Sequence, residues 1–527
     1  MTLWRYHWPE VADLIEVNQA GEWAYPQLDR TDIVHAFYRL AMENSQRLSL
    51  RQDSDDWSYE RLIRAISRMA THLRQEGIGA GDRVALVLPN SIEFVVAFFA
   101  TLWVGAMAVP LNPGLGPEEF RRVLTDASPR MLLYLADIVP ELAVPADCQV
   151  LGLDRRTWSI AGNEISEPAG ANPDRVAVIL YTSGTAGNPK GVMLTHRNIL
   201  TSVTSYQRIF HLHTDDRTLI VVPLFHVTGL IGQLLAVLLS GGAAVLVRKY
   251  HASDFMDLLY RQDITFLFTV PTILTLAFLR DKGWAVPQRL RILASGGAPI
   301  APALIAQIQE TLPDCAFYNT YGMTEVASPA TILRPADWAQ HPSSVGLPVP
   351  GMTMRIMDIN EHKPLAVNEV GELWMRGPMV TPGYWNRPEV TAETVKDGWL
   401  RSGDLASIDA AGYVTIHGRM KDMINRGGEK VYPIDVEGPL GEHPAVMEVA
   451  VYGVPDAVWG EHVACALSLK PGLTATAEEL CGWLESRVAR FKIPTEYRLW
   501  HELPRNANGK IDKRRLQEAH ELTPLLP

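Results

Sequence analysis

The chain is poor in cysteine, with four in 527 residues: Cys148, Cys315, Cys465 and Cys481. No two form a C-x-x-C pair and none clusters with histidines. This argues against a disulfide framework or a cysteine-ligated metal and fits a reducing, cytoplasmic compartment. Excess positive charge is also missing. The formal net charge of −11 argues against a general nucleic-acid binder, though a local pocket can still be positive. Uninterrupted apolar runs do not reach the ~20 residues of a transmembrane segment. Residues 94–109 are broken by Gly105, and the longer stretch 219–247 carries Pro223, His226, Gln233 and Gly241-Gly242. Both read as buried helices beside strands. The first residues show no basic stretch followed by an apolar one, so no signal peptide is expected there.

What is present is ordinary globular material, 47% hydrophobic and 20% charged, enough for about three to four units of ~150 residues. Strand and helix patterns alternate. Strands are expected at 83–88, 106–110, 176–180, 219–222, 243–247, 264–268 and 290–294, and helices at 61–75, after the Pro89-Asn90-Ser91 cap and at 230–239. Such alternation predicts helix-covered sheets. Past residue 340 turns become dense and short strands are expected at 353–357, 371–376 and 413–417, a small β-rich subdomain. A boundary is expected near Gly418-Arg419-Met420-Lys421, giving domains 1–420 and 421–527. The last is a smaller α+β unit with helices at 433–440 and 477–489 and a strand at 446–452.

The most informative stretch is 181–191, YTSGTAGNPKG, directly after an expected strand. Glycines permit a tight turn whose free N–H groups make a concave anion site. Thr182, Ser183 and Thr185 add hydroxyls, and Lys190 a mobile charge. This is chemistry for a polyphosphate, yet the spacing is not G-x-x-x-x-G-K-[ST]. Six further segments follow. His226 stands at a strand-to-helix turn, where a lone histidine is more often structural. Ser295-Gly296-Gly297-Ala298-Pro299 lets a flat ligand approach backbone. Asn319-Thr320-Tyr321-Gly322-Met323-Thr324-Glu325 combines an aromatic for stacking, an amide for a base edge and a carboxylate for magnesium. Arg401-Ser402-Gly403-Asp404 offers a carboxylate for ribose hydroxyls. Arg419 and Lys421 precede Arg426-Gly427-Gly428. Asn508-Gly509 is a tight-turn signal that places Lys510 at a loop tip; standing alone, Lys510 would be one solvated lysine among many.

Together and in this order, these segments resemble the adenylate-forming superfamily of acyl-CoA synthetases, free-standing adenylation domains and beetle-type luciferases. The likeness runs from Tyr181 to Lys510. One departure is Ala186, where the family usually has Thr or Ser. The resemblance implies an α/β fold: a large N-terminal domain of helix-covered sheets with a small β-rich subdomain, and a mobile α+β C-terminal domain. It also implies an AMP-forming ligase that uses ATP, Mg2+ and CoA in two steps.

Carried over by position, Thr182, Ser183, Gly184, Thr185 and Lys190 hold the β- and γ-phosphates. Glu325 with Thr324 positions magnesium and the α-phosphate. Tyr321 stacks on adenine, with Asn319, Gly297 and Ala298 at its edge. Asp404 takes the ribose hydroxyls, assisted by Arg419. Lys510 reaches the α-phosphate and the attacking carboxylate oxygen, and it joins Glu325, Thr185 and His226 as catalytic candidates. Lys421 resembles the hinge, and Gly427 and Gly428 face the pantetheine tunnel. The setting of Lys510 resembles a site of regulatory lysine acetylation.

His226-Val227-Thr228 stands where amino-acid-activating relatives place an aspartate, and Thr320 where malonate-activating relatives place an arginine. An uncharged acyl or aryl chain is therefore expected. The alternatives are a ligase that loads a carrier-protein thiol and a nucleotide-binding regulator that has lost catalysis.

Overall fold

The computed structural model describes the chain apart from residues 1–2, 18–22, 136–143, 155–165, 183–188, 252–253, 280–285, 506–510, 521–522 and 527. Among the described residues, the first large sheet has seven strands in the order Gly383–Tyr384, Lys190–Thr195, Val176–Thr182, Met107–Pro110, Arg83–Val87, Met131–Leu135, Gln149–Leu153. The five strands from Val176–Thr182 to Gln149–Leu153 are parallel, while Lys190–Thr195 and Gly383–Tyr384 join antiparallel. Helices connect Arg83–Val87 to Met107–Pro110 and Met107–Pro110 to Met131–Leu135, as the alternation in the sequence requires. Between Arg83–Val87 and Met107–Pro110 lies the helix Ile92–Trp103, opened by Ser91, whose hydroxyl accepts from the Phe94 N–H. Every residue of this helix is buried, so the apolar run at 94–109 is spent on the core. Among the described residues, no helix is long and apolar enough to cross a membrane.

The second sheet has nine described strands, with Ala316–Met323, Ile292–Gly296, Phe266–Thr269 and Arg217–Ile220 adjacent at its centre. The helix expected at 230–239 begins earlier and is wider. Thr228–Leu235 forms a π-helix, continued by the short α-helix Ala236–Leu238. A hydrophobicity pattern reports burial and says little about the i→i−5 bonding that distinguishes π from α. Gly232 lets this helix lie against Phe268: a Cβ there would sit 2.7 Å from two ring carbons.

The β-rich subdomain is a sheet of Thr353–Met357, Gly371–Arg376, Trp399–Ile408 and Val395–Lys396, with Val414–Arg419 paired to Trp399–Ile408. A separate sheet holds the C-terminal unit, built from Ile424–Arg426, Glu429–Val431, Val446–Asp456, Gly460–Leu469 and Glu496–Leu499. The helices Pro433–Gly441 and Ala477–Glu485 cover it. The second of these stops short of the expected 489, because the chain turns at Ser486 and the single 3-10 turn Arg490–Lys492 follows.

Candidate active site

The segment expected to bind phosphate lies between two paired strands. Val176–Thr182 pairs antiparallel with Lys190–Thr195, and Thr182 lies opposite Lys190 in the register. Ser183, Gly184, Thr185 and Ala186 fall outside the described residues, between these two anchors. The strand pair is held from the side: the Tyr181 hydroxyl donates to Asp126 Oδ2 at 2.8 Å, and Arg387 pairs with Asp126 Oδ1 at 2.7 Å.

Strand Ala316–Met323 runs beside Ile292–Gly296, with Asn319 in register with Ser295 and Thr320 with Gly296. This brings Asn319 and Tyr321 to the same sheet end as Gly297 and Ala298, which are exposed there. Gly297 has φ of +83°, a conformation that keeps its backbone bare and open to a flat ligand. The Thr320 hydroxyl donates to the Ser295 carbonyl at 3.2 Å, so this side chain is turned onto backbone.

After Met323 the chain makes the 3-10 turn Thr324–Val326 and returns antiparallel as Ser328–Leu333. The turn is tight enough to put Ala327 and Ser328 at positive φ, +54° and +102°. It presents Glu325, which is 9% exposed. Tyr384 donates its hydroxyl to Glu325 Oε1 at 3.0 Å, and the Lys190 ammonium lies 5.5 Å from the centre of the Tyr384 ring. Glu325 also receives the Thr381 N–H on its backbone carbonyl at 2.8 Å. Lys190 and Glu325, from distant segments, are thus joined through Tyr384.

A second cluster lies on the β-rich subdomain. Asp404 and Arg419 are cross-strand partners, and Arg419 Nε is 3.4 Å from Asp404 Oδ1. The Tyr321 hydroxyl donates to Asp404 Oδ2 at 2.5 Å. Burial, then the charge and hydrogen bond of Asp404, push the Tyr321 phenol well above its ordinary range, so it remains a donor. Asp404 is 5% exposed: a buried carboxylate with a cation on one oxygen and a phenol on the other. That is a site for polarised hydroxyls.

Of the remaining candidates, His226, Lys421, Gly427 and Gly428 lie on other elements. The His226 N–H donates to the Pro223 carbonyl, and its own carbonyl accepts from Leu230, so its backbone opens the π-helix; the ring lies 4.6 Å from that of Phe225. Lys421 is exposed in the 3-10 turn Met420–Asp422, between the last strand of one sheet and the first of the next. Gly427 and Gly428 turn the hairpin of the C-terminal sheet, where the Gly427 N–H donates to the Trp459 carbonyl at 2.7 Å. Lys510 lies outside the described residues. Sequence reasoning missed Tyr384, Asp126 and Arg387. Tyr384 sits on a two-residue strand, too short to leave a periodic signal.

Known proteins resemble this chain over most of its length. Residues 37–385 match the model of the AMP-binding enzyme family, and residues 435–510 that of the AMP-binding enzyme C-terminal domain. A feruloyl-CoA synthase of an Amycolatopsis species is 34% identical over 90% of this chain and 96% of its own. The fatty acid–[acyl-carrier-protein] ligase ScoC of Streptomyces coeruleorubidus is 34% identical over 88% of this chain and 91% of its own. Among solved structures, the o-succinylbenzoate coenzyme A synthetase of Bacillus subtilis in complex with ATP and magnesium ion superposes with a TM-score of 0.84 at 30% identity, covering 92% of this chain and 99% of that one. The chain belongs to the AMP-binding enzyme family and is an acid–thiol ligase of the AMP-forming acyl-CoA synthetase type.

Proposed function

We propose that the acid is a monocarboxylate with an uncharged acyl or aryl tail and that the residues gathered above carry the reaction. The observation that supports this is the Tyr321–Asp404–Arg419 cluster, one tight turn away from Glu325. Asp404 accepts the ribose hydroxyls, and Arg419 fixes its carboxylate. Tyr321 stacks on adenine, with Asn319, Gly297 and Ala298 along the base edge. Thr182, Ser183, Gly184, Thr185 and Lys190 cradle the β- and γ-phosphates. Lys510 approaches the α-phosphate and the attacking oxygen.

In the first step a carboxylate oxygen bonds to the α-phosphorus, the α–β bridging bond breaks and pyrophosphate leaves. In the second the CoA thiol attacks the acyl carbonyl, loses its proton to solvent and releases AMP. Both reacting groups of the first step are anions, so fixed positive charge is what the site must supply. The donor set fits a magnesium ion: Tyr384 engages Oε1 of Glu325, which leaves the other carboxylate oxygen for the hard cation, with the Thr324 hydroxyl beside it in sequence. When bound, the ion would offset phosphate charge.

The tail specificity rests on what faces the acid. No carboxylate lies between Pro223 and Leu239, Thr320 is committed to the Ser295 carbonyl, and the π-helix is apolar and buried. Of the relatives above, two are named for ferulate and for a fatty acid, neither of which carries a second charge, while the Bacillus subtilis synthetase is named for o-succinylbenzoate, a dicarboxylate. Lys421, in the turn that joins the two sheets, is the hinge between domains 1–420 and 421–527. The C-terminal domain turns about it between the half-reactions, bringing Gly427 and Gly428 to the pantetheine. All four cysteines are free, which fits work in the reducing cytoplasm, in fatty- or aryl-acid metabolism.

A panel of carboxylic acids scored by CoA-dependent AMP release tests the reading. Neutral-tail aliphatic or aryl acids should be turned over, and amino acids and dicarboxylates should not. ADP and phosphate as products would overturn it. A carrier protein as acceptor is the second reading, favoured by the similarity to ScoC; faster transfer to a carrier pantetheine than to CoA would select it.

A further inference from the structure

Away from this site, the C-terminal unit gathers two histidines and a carboxylate from three elements. His462 comes from strand Gly460–Leu469, Glu496 from strand Glu496–Leu499, and His520 from the segment after helix Lys513–Glu518. One ligand atom of each lies within 4.8 Å of the other two, and this is the one such His, Cys, Asp or Glu group among the described residues. His462 Nε2 is 3.2 Å from Glu496 Oε1, and His520 Nε2 is 3.1 Å from Glu496 Oε2. On a tetrahedral zinc ion with bonds of ~2.0–2.1 Å, neighbouring donor atoms lie about 3.3 Å apart. The His462–Glu496 separation is already of that size, and the His520 ring meets the other carboxylate oxygen at a similar distance.

Two further features favour a metal over a plain ion-pair network. The Glu496 oxygen nearest His462 does not lie along the ring nitrogen's bonding direction, so the buried His462 Nε2 has no hydrogen-bond partner. Both rings also have an oxygen on the opposite nitrogen. His520 Nδ1 is 3.0 Å from the Tyr452 hydroxyl, and His462 Nδ1 is 3.6 Å from Asp456 Oδ2. Such outer partners orient imidazoles with Nε2 toward a metal. Arg498 works against a cation: its Nη2 is 2.5 Å from Glu496 Oε2 and 3.3 Å from His520 Nε2. It occupies Oε2, however, and leaves Oε1 toward His462.

We propose that His462, Glu496 and His520 form a zinc-binding site that staples the C-terminal segment to the sheet. The site would act beside the tie already made by Arg498, whose Nη1 donates to the Thr523 carbonyl at 2.7 Å. None of these residues belongs to the clusters around Tyr321 and Glu325, so bound zinc stabilises the C-terminal unit and takes no part in the chemistry.

The test is a titration of the chelator-treated full-length protein with Zn2+ against a chromophoric competitor, with Co2+ as a spectroscopic substitute. One equivalent should bind, raise the melting temperature and give the visible bands of a nitrogen–oxygen cobalt site. His462→Gln and His520→Gln should each weaken binding by more than roughly tenfold, since even outer partners are worth ~10–100-fold. In the wild-type chain, Zn2+ should also protect His462 and His520 from carbethoxylation, a readout that needs no variant to fold. No stoichiometric binding, thiolate charge-transfer bands with Co2+, or the absence of protection at both histidines would overturn the proposal.

Discussion

Asp404 is the residue whose chemistry is most completely framed by its neighbours. It is buried, and Arg419 and Tyr321 each hold one of its oxygens. Removing it in Asp404→Ala takes away a charged hydrogen-bond acceptor for the ribose, an interaction of ~1.5–3 kcal/mol. The apparent affinity for ATP should fall roughly 10- to 150-fold, and an unchanged Michaelis constant for ATP would count against the assignment. Lys510 makes a different demand. Its charge is needed while the phosphate is crowded with negative oxygens and not while a thiol attacks a carbonyl. Lys510→Ala should cut adenylate formation by several orders of magnitude and leave the conversion of pre-formed acyl-adenylate to thioester near normal. Acetylation removes the same charge and should copy the variant. Running the two half-reactions separately decides the matter: equal loss in both would mean that Lys510 supports structure only.

At the scale of elements, the strand–turn–strand that presents Glu325 leaves no room at its base. A Cβ on Gly322 would meet the Ser328 carbonyl oxygen 1.5 Å away, a backbone atom that cannot step aside. Gly322→Ala should therefore cost ~1–3 kcal/mol or more and reduce adenylate formation by moving Glu325. The opposite outcome is expected in helix Ala477–Glu485, where a Cβ on Gly482 meets nothing within 4 Å. Gly482→Ala should stabilise the C-terminal unit by ~0.5–1 kcal/mol. Denaturant midpoints of the two variants should shift in opposite directions.

Across the whole molecule, acid should act through a buried tie in the N-terminal part. The N–H of Ile33 donates to His196 Nδ1 at 3.4 Å, and the carboxylate of Asp32 accepts from the N–H groups of His35 at 2.9 Å and Asn172 at 3.2 Å. Burial lowers the His196 ring's affinity for a proton, outweighing the neighbouring Asp32 charge. Burial raises that of Asp32, but its bonds to His35 and the field of His196 bring it below the usual carboxylate range. Each group then binds fewer protons folded than unfolded, so stability rises with pH through the acid range. The His196 contribution is complete above the ordinary imidazole value of 6.5 and is lost progressively below it; that of Asp32 is lost at lower pH, as the carboxylate protonates. Melting temperatures measured from neutral to acid pH should fall more steeply for wild type than for His196→Asn. Parallel curves would refute the tie.

How much of this was legible beforehand depends on the range of the interaction. The order of motifs, the alternation of strands and helices and the Ser91 cap are local patterns, and one strand of sequence carries them whole. The donors proposed for phosphate, Thr182 to Lys190, are likewise neighbours in the chain. The partnership of Tyr384 with Glu325 spans 59 residues, and that of Tyr321 with Asp404 spans 83. Neither leaves a trace in spacing. The π-helix at Thr228–Leu235 and the meeting of His462, Glu496 and His520 likewise follow from how sheets and segments pack. The sequence by itself determined which groups the protein owns and which lie beside each other in the chain. The tertiary structure alone decided which distant groups share a charge, because side-chain chemistry acts over a few ångströms and only folding brings those ångströms about.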